Sequence, residues 1–236
     1  MFFPMYYFDP TYFLVLIGVV LSLLASGRVK STFSKYSKVR NSRNMTGAEV
    51  AERVLHGAGI YDVRVEHVSG NLTDHYDPRT KVLRLSDAVY GQTSVAAVGV
   101  AAHECGHAIQ HAKGYGPLKL RSTLVPIANF GAKIAWPLIL FGLLFTSETS
   151  TLLINLGIIA FTAAVAFQLI TLPVEYNASN RAVRMIAETG IMQGEEIQAA
   201  KKVLNAAALT YVASAATAIL QLLRIILLTG GRRRND

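Results

Sequence analysis

The stretch VGVAAHECGHAIQH, residues 98–111, decides how this sequence is interpreted. On an α-helix, residues four positions apart lie on the same face, about one turn from each other. His103 and His107 have this spacing, so their imidazole rings can chelate one metal ion. Glu104 is offset from that face and can reach a water molecule on the ion. The pattern predicts one zinc ion per chain, with His103 and His107 as ligands and Glu104 as general base.

The HExxH pattern also occurs by chance in ordinary helices, so its surroundings matter. Here the flanking residues are small and apolar, including Val98, Ala101 and Ala102. A helix buried in this way would not normally carry two histidines and a glutamate without partners. The context therefore favours a metal site.

Composition indicates a membrane protein. Of the 236 residues, 52% are hydrophobic and only 16% are charged, which is too few charges for a typical soluble domain. The net charge of +8 does not indicate a nucleic-acid partner, because the basic residues cluster beside apolar runs, as they do next to membrane helices. The single cysteine, Cys105, cannot form an intramolecular disulfide, and we interpret it as a packing residue.

Four apolar segments, two of them forming a hairpin, predict a multi-pass protein of the cell membrane. Residues 11–27 form a first transmembrane helix, and the basic run after it places the following segment in the cytoplasm. Residues 124–172 form a transmembrane hairpin whose connector carries no Lys or Arg. Residues 206–229 either cross the membrane or lie in its interface, because a full crossing would place the terminal arginines outside. We therefore expect three to four membrane helices.

The remaining segments predict a mainly α membrane protein with a small α+β, zincin-like cytoplasmic domain at residues 28–120. Thr46 and Glu49 form a capping box that opens a helix, and Val63–Val68 alternates like a strand. Thr93 or Ser94 caps the helix that carries the two histidines. Pro173 is expected to end the second arm of the hairpin, so that residues 173–205 form a separate cytoplasmic helix.

A catalytic zinc site needs a third protein ligand and one open position. His111 continues the series of histidines, but on a straight helix it lies about 12 Å along the axis from His103. Three rings so spaced cannot meet on one ion, so we expect His111 to be structural or exposed to solvent. Glu175 is the better candidate, because the predicted topology places it on the same side of the membrane as His103. The alternative is a glutamate that only stabilises the first turn of a helix.

Together, these segments resemble the gluzincin membrane proteases of the HtpX type, and more closely the YugP-like family of bacterial neutral zinc metallopeptidases. An N-terminal span, a basic segment, a strand before the HExxH helix, a hairpin and the run Glu-Tyr-x-Ala at 175–178 carry the resemblance. It implies that His103, His107 and Glu175 bind zinc and that Glu104 is the base. The HtpX-type pattern has an aspartate where this chain has Ser179; Ser179 or Asn180 can still hydrogen-bond to a zinc histidine, more weakly.

The expected function is a membrane-bound endopeptidase that cleaves peptides or misfolded membrane proteins at the cytoplasmic face. Two other hypotheses are a non-catalytic adaptor with structural zinc and a transporter subunit.

The roles of two further sets of residues are left open by the sequence. Four side chains are candidates for stabilising the oxyanion of the tetrahedral intermediate: His75, Tyr76, Tyr90 and Tyr115. A predicted strand is either an edge strand that binds extended substrate or a core strand: Lys81, Val82, Leu83, Arg84 and Leu85.

Overall fold

The computed structural model describes residues 9–144 and 148–230. Within them the chain is mainly helical, as predicted, with one small sheet. In chain order the elements are α1 (Tyr12–Tyr36), α2 (Gly47–Gly57), β1 (Arg64–Val68), β2 (His75–Asp77), β3 (Val82–Ser86), α3 (Val95–Ala112), α4 (Gly116–Leu144), α5 (Glu148–Glu188) and α6 (Glu195–Gly230). The end of the predicted first hairpin arm, residues 145 and 146, the first connector residue, Ser147, and the terminal arginine run lie outside the described residues.

The chain divides into two compact units. The first, here called the helical unit, comprises Met1–Leu24, Leu124–Leu169 and Val212–Asp236. The second, the sheet unit, comprises Ala25–Thr123 and Ile170–Tyr211. Among the described residues, four helices are long and apolar enough to cross a membrane: α1, α4, α5 and α6.

Small residues allow close helix contacts in the helical unit. A Cβ atom added at Gly131 of α4 would lie 2.6 Å from the backbone oxygen of Ala160 on α5, so only glycine fits there. Such contacts are typical of membrane helices, in which small residues let backbones approach each other.

Helices α1 and α6 run antiparallel within the helical unit. The Thr217 hydroxyl on α6 donates to the backbone oxygen of Gly18 on α1, at 3.1 Å. Seven residues further along α6, Arg224 lies 3.5 Å from the carboxylate of Asp9, before the start of α1. The guanidinium of Arg224 also covers the ring of Tyr12, 4.1 Å from its centroid. The charge of this arginine in an apolar helix is therefore paired.

The sheet unit contains a three-stranded mixed sheet in the order β1-β3-β2. Strand β1 confirms the predicted strand and pairs with β3 in parallel, while β2 pairs with β3 antiparallel. The central strand β3 includes Val82–Leu85 of the predicted substrate strand, so the edge-strand interpretation is wrong and the core-strand alternative holds. It pairs with β1 along one side and, over Val82–Arg84, with β2 along the other, so it is not a free edge to which a substrate strand could add. Strand β2, with three residues, is too short to show an alternating pattern.

Helices α2 and α3 cover this sheet through an apolar core that includes Val54, Leu83 and Ala102. The predicted caps are confirmed. Thr46 and Glu49 form the capping box of α2, and the hydroxyl of Ser94 accepts a hydrogen bond from the backbone of α3. These caps fix where each helix begins.

The four long helices all extend beyond the segments that the sequence predicts, and the predicted helix 173–205 is divided between the end of α5 and the start of α6, which begins at Glu195. Helix α1 continues through the basic segment to Tyr36, and α5 continues through Pro173 to Glu188. The expected break at Pro173 is wrong, because a helix can lose one backbone hydrogen bond to proline when its neighbours compensate. The turn comes later, where Gly190 and Gly194 have positive φ angles of 64° and 53°. These are conformations that glycine adopts without strain.

Candidate metal centre

Two helices of the sheet unit bring three metal-binding side chains together. His103 and His107 lie one turn apart on α3 and face Glu175 of α5. The Nε2 atoms of His103 and His107 lie 3.2 Å and 3.5 Å from Oε2 of Glu175. One ligand atom from each side chain lies within 4.8 Å of the others. Two imidazole nitrogens and one carboxylate oxygen are a donor set that suits a catalytic zinc ion.

Both imidazole rings are oriented by the nitrogen that does not face Glu175. Nδ1 of His103 lies 3.1 Å from the hydroxyl of Ser179, and Nδ1 of His107 lies 3.0 Å from Oε1 of Gln110. When Nδ1–H donates to these oxygens, the lone pair of each Nε2 is available to a metal. The residues present therefore fit a zinc ion.

Gln110 is held so firmly that it can only accept from His107. Its amide nitrogen donates to the backbone oxygen of Val174 at 2.8 Å and to the side chain of Asn177 at 3.0 Å. The residue is fully buried. Because both amide protons are used, its oxygen remains for the imidazole. Gln110 thereby links the position of His107 to the segment of α5 that carries Glu175.

Gly106, between the two histidines, allows α3 to contact α5. A Cβ atom at this position would lie 2.4 Å from the backbone oxygen of Ala178 and 3.0 Å from its carbonyl carbon. Such distances are far below van der Waals contact, so any side chain would push the helices apart. Because Ala178 lies between Glu175 and Ser179, this contact sets the distance from the histidines to both.

Glu104 is buried, at 9% exposure, next to these ligands. In the part of the chain that the structure describes, no hydrogen bond or ion pair occupies its carboxylate. Burial disfavours the charged form of His107, but its hydrogen bond to Glu175 and the charges of Glu104 and Glu175 outweigh this and raise its pKa. Glu104 is therefore close enough to act electrostatically on the ligands while its carboxylate stays available.

Comparison with known proteins shows which family the chain belongs to. Residues 11–230 match the family model described as "Putative neutral zinc metallopeptidase". The chain belongs to this family. It is also 50% identical, over 224 residues, to the "Putative membrane protease YugP" of Bacillus subtilis (strain 168), which covers 94% of this chain and 98% of that protein. No solved structure matches the chain.

In this neutral zinc metallopeptidase, two further residues lie near Glu175. Neither was predicted from the sequence. Nη1 of Arg121, on α4, lies 3.1 Å from Oε1 of Glu175, the oxygen that does not face the histidines. The side chain of Tyr211, on α6, lies near enough to Glu175 to interact with its carboxylate electrostatically. In the sequence, Arg121 resembles any basic residue beside an apolar segment. Tyr211 is one aromatic residue within a different apolar segment. No spacing links either residue to the histidines.

The four predicted oxyanion donors make their contacts elsewhere in the sheet unit. The imidazole of His75 contacts a backbone oxygen, the Tyr76 hydroxyl contacts His111, the Tyr90 ring packs against His67, and the Tyr115 ring lies under Arg181. Burial, together with the charges of two aspartates, raises the pKa of Tyr76 to about 12. Its protonated hydroxyl can thus donate to Nδ1 of His111, 2.9 Å away, which agrees with a structural His111. A role in oxyanion stabilisation stays a prediction for these four.

Ser179 and Asn180, the two predicted partners of a zinc histidine, differ in the structure. Ser179 is buried and contacts His103, whereas Asn180 is exposed and makes no side-chain hydrogen bond among the described residues. We expect Ser179→Ala to lower zinc affinity about 10-fold to 100-fold, because the His103 ring loses its orienting partner. Asn180→Ala is the matched control and should bind zinc like the wild type. Competition against a chromogenic chelator measures both, and equal affinities would exclude an orienting role for Ser179.

Cys105 lies on the same helix but outside the ligand group. It is fully buried, and its Sγ atom contacts the backbone oxygen of Ala51 at 3.5 Å. Burial, with the charge of Glu104, raises its pKa well above the ordinary value for a thiol. A thiol of this kind is a poor metal ligand, because only the thiolate binds zinc. The prediction of a packing role agrees with this position.

Proposed function

We propose that this chain is a zinc-dependent endopeptidase of the gluzincin type, with one zinc ion held by His103, His107 and Glu175. The observation that carries the proposal is the convergence of these ligands from α3 and α5, with the unoccupied carboxylate of Glu104 beside them. A structural site would have no use for this glutamate. Family membership supports the choice of metal and the peptidase class.

When bound, zinc would polarise the scissile carbonyl and lower the pKa of a water molecule toward about 7. Glu104 would accept the proton of the attacking water and pass it to the leaving amine. Arg121 holds one oxygen of Glu175 and leaves the other facing the histidines. Tyr211, whose side chain lies near the same carboxylate, is a candidate donor to the oxyanion.

The proposed location is the cell membrane, with the active site facing the cytoplasm. The basic residues that follow the first apolar segment support this orientation. The antiparallel contacts of α6 with α1 favour a full crossing for α6, since a helix paired along a spanning helix must itself span. The pairing of Arg224 with Asp9 places the C-terminal part of α6 beside the start of α1, as a full crossing requires. Substrates would then be peptides or misfolded membrane proteins that reach the cytoplasmic face.

Metal removal tests the proposal. Purified protein in detergent should contain one zinc ion per chain and hydrolyse an unstructured fluorogenic peptide. We expect 1,10-phenanthroline to abolish hydrolysis and added zinc to restore it, because the zinc is held by only three protein ligands. A non-chelating phenanthroline isomer is the control. Hydrolysis that persists in zinc-depleted protein would contradict the proposal.

A further inference from the structure

A separate cavity of about 730 Å³ lies between α1, α5 and α6 in the sheet unit. None of the proposed zinc ligands lines it. Its wall combines basic, hydroxyl and amide side chains with apolar side chains from α6. A cavity of this size can hold a small ligand or the headgroup of a lipid.

The cavity is strongly basic, and the described residues of its wall include no acidic side chain. Arg28, Lys35 and Lys202 contribute three positive charges. Among residues 9–144 and 148–230, no carboxylate forms an ion pair with any of them. Cations gathered in a concave site without counterions repel each other, so the site is stabilised by a bound anion. Thr32 and Asn205 add uncharged donors that suit phosphate oxygens.

The lining residues come from the points where three helices change between apolar and polar sequence. Arg28 directly follows the apolar segment of α1, and Tyr176 closely follows that of α5. Asn205 directly precedes the apolar segment of α6, whose first turn contributes Ala206 and Leu209. In helices that cross a bilayer, such positions lie at the depth of the lipid headgroups. The wall thus offers cations for a phosphate and an apolar surface for the start of an acyl chain.

We propose that this cavity binds the phosphate headgroup of an anionic phospholipid, such as phosphatidylglycerol. Basic pockets between membrane helices on the cytoplasmic side are suited to such headgroups. Free phosphate shares the charge but does not use the apolar part of the wall. Because Tyr176 lines the cavity and follows Glu175 directly, the bound lipid contacts the same helical turn as the proposed zinc ligand.

Native mass spectrometry of the full chain in detergent tests this site. Phosphatidylglycerol, phosphatidylcholine and inorganic phosphate are titrated separately against wild type, Lys202→Gln, and the double variant Arg28→Gln with Lys202→Gln. The double variant Lys30→Gln with Lys201→Gln is the matched control, because it removes the same charge from α1 and α6 at exposed positions outside the cavity. All replaced side chains are exposed, so folding is preserved, and circular dichroism checks it.

Wild type should bind phosphatidylglycerol in preference to phosphatidylcholine. Affinity should fall about fivefold in Lys202→Gln and about 25-fold in the cavity double variant, at about 1 kcal/mol per charge near a bilayer surface. The control double variant should bind like the wild type. Equal losses in both double variants would overturn the proposal in favour of general surface charge. Binding of inorganic phosphate as tight as that of phosphatidylglycerol would overturn the assignment to a lipid.

Discussion

Replacing Glu104 with glutamine is expected to lower kcat for peptide hydrolysis by about 10²-fold to 10⁴-fold, the range that general acid–base catalysis contributes. The amide has the shape of the carboxylate but cannot accept a proton from water or deliver one to the leaving amine. Because the proposed metal ligands are His103, His107 and Glu175, zinc content should stay at one ion per chain. The measurement is kcat together with zinc analysis on the same preparation.

The control for this variant is Glu52→Gln, which makes the same chemical change at an exposed position of α2. It should keep the wild-type rate and zinc content. If Glu104→Gln hydrolyses peptide at the wild-type rate, Glu104 is not the base. If it loses zinc as well as activity, the glutamate acts through metal binding, and the proposed separation of roles is wrong.

The variant Gly106→Ala is expected to disrupt the metal centre without changing any ligand. Its Cβ atom would lie 2.4 Å from the backbone oxygen of Ala178, so α3 and α5 must move apart. Overpacking of this kind costs about 1–3 kcal/mol in the free energy of unfolding. A shift of about 1 Å in catalytic groups lowers activity by roughly 10²-fold. We expect a lower Tm, weaker zinc binding and a loss of activity of that order.

Gly99→Ala, on the same helix, is the matched control. A Cβ atom at Gly99 would lie 3.6 Å from that of Ala200, an ordinary contact, and alanine favours a helix over glycine by about 1 kcal/mol. This variant should keep its activity and be as stable as the wild type or more stable. If both variants retain zinc and activity alike, the close contact between α3 and α5 does not set the site geometry.

Local rules were enough to predict much of this site from the sequence. The spacing of His103 and His107 on one helix follows from helix geometry alone. The same geometry excluded His111, which bonds to Tyr76 in the structure. Glu175 required an additional argument from membrane topology, which linked two distant segments. Its position beside both histidines agrees with that prediction.

The residues that the sequence did not reveal are those that reach the site through tertiary packing. Arg121 on α4 pairs with Glu175, and Tyr211 on α6 lies near it; no periodicity or spacing connects these helices to the HExxH motif. Gln110 lies within the quoted stretch, but its role depends on α5 holding its amide nitrogen.

Two fold features show the same limit of local patterns. Alternating residues identified β3 as a strand but could not show whether it lies at the centre or the edge of the sheet. That distinction depends on the short strand β2, whose pairing is nonlocal. Proline is a strong local signal for a helix end, yet α5 continues through Pro173 because its surroundings compensate.

The most direct test of the central claim is a structure of the zinc-loaded protein with anomalous scattering recorded at the zinc edge. The account predicts one anomalous peak per chain, about 2.0–2.2 Å from Nε2 of His103, Nε2 of His107 and an oxygen of Glu175, with no fourth protein ligand. A peak whose coordination is completed by His111 or Cys105 would indicate a closed structural site. A peak that Glu175 does not reach would contradict the proposed metal centre itself.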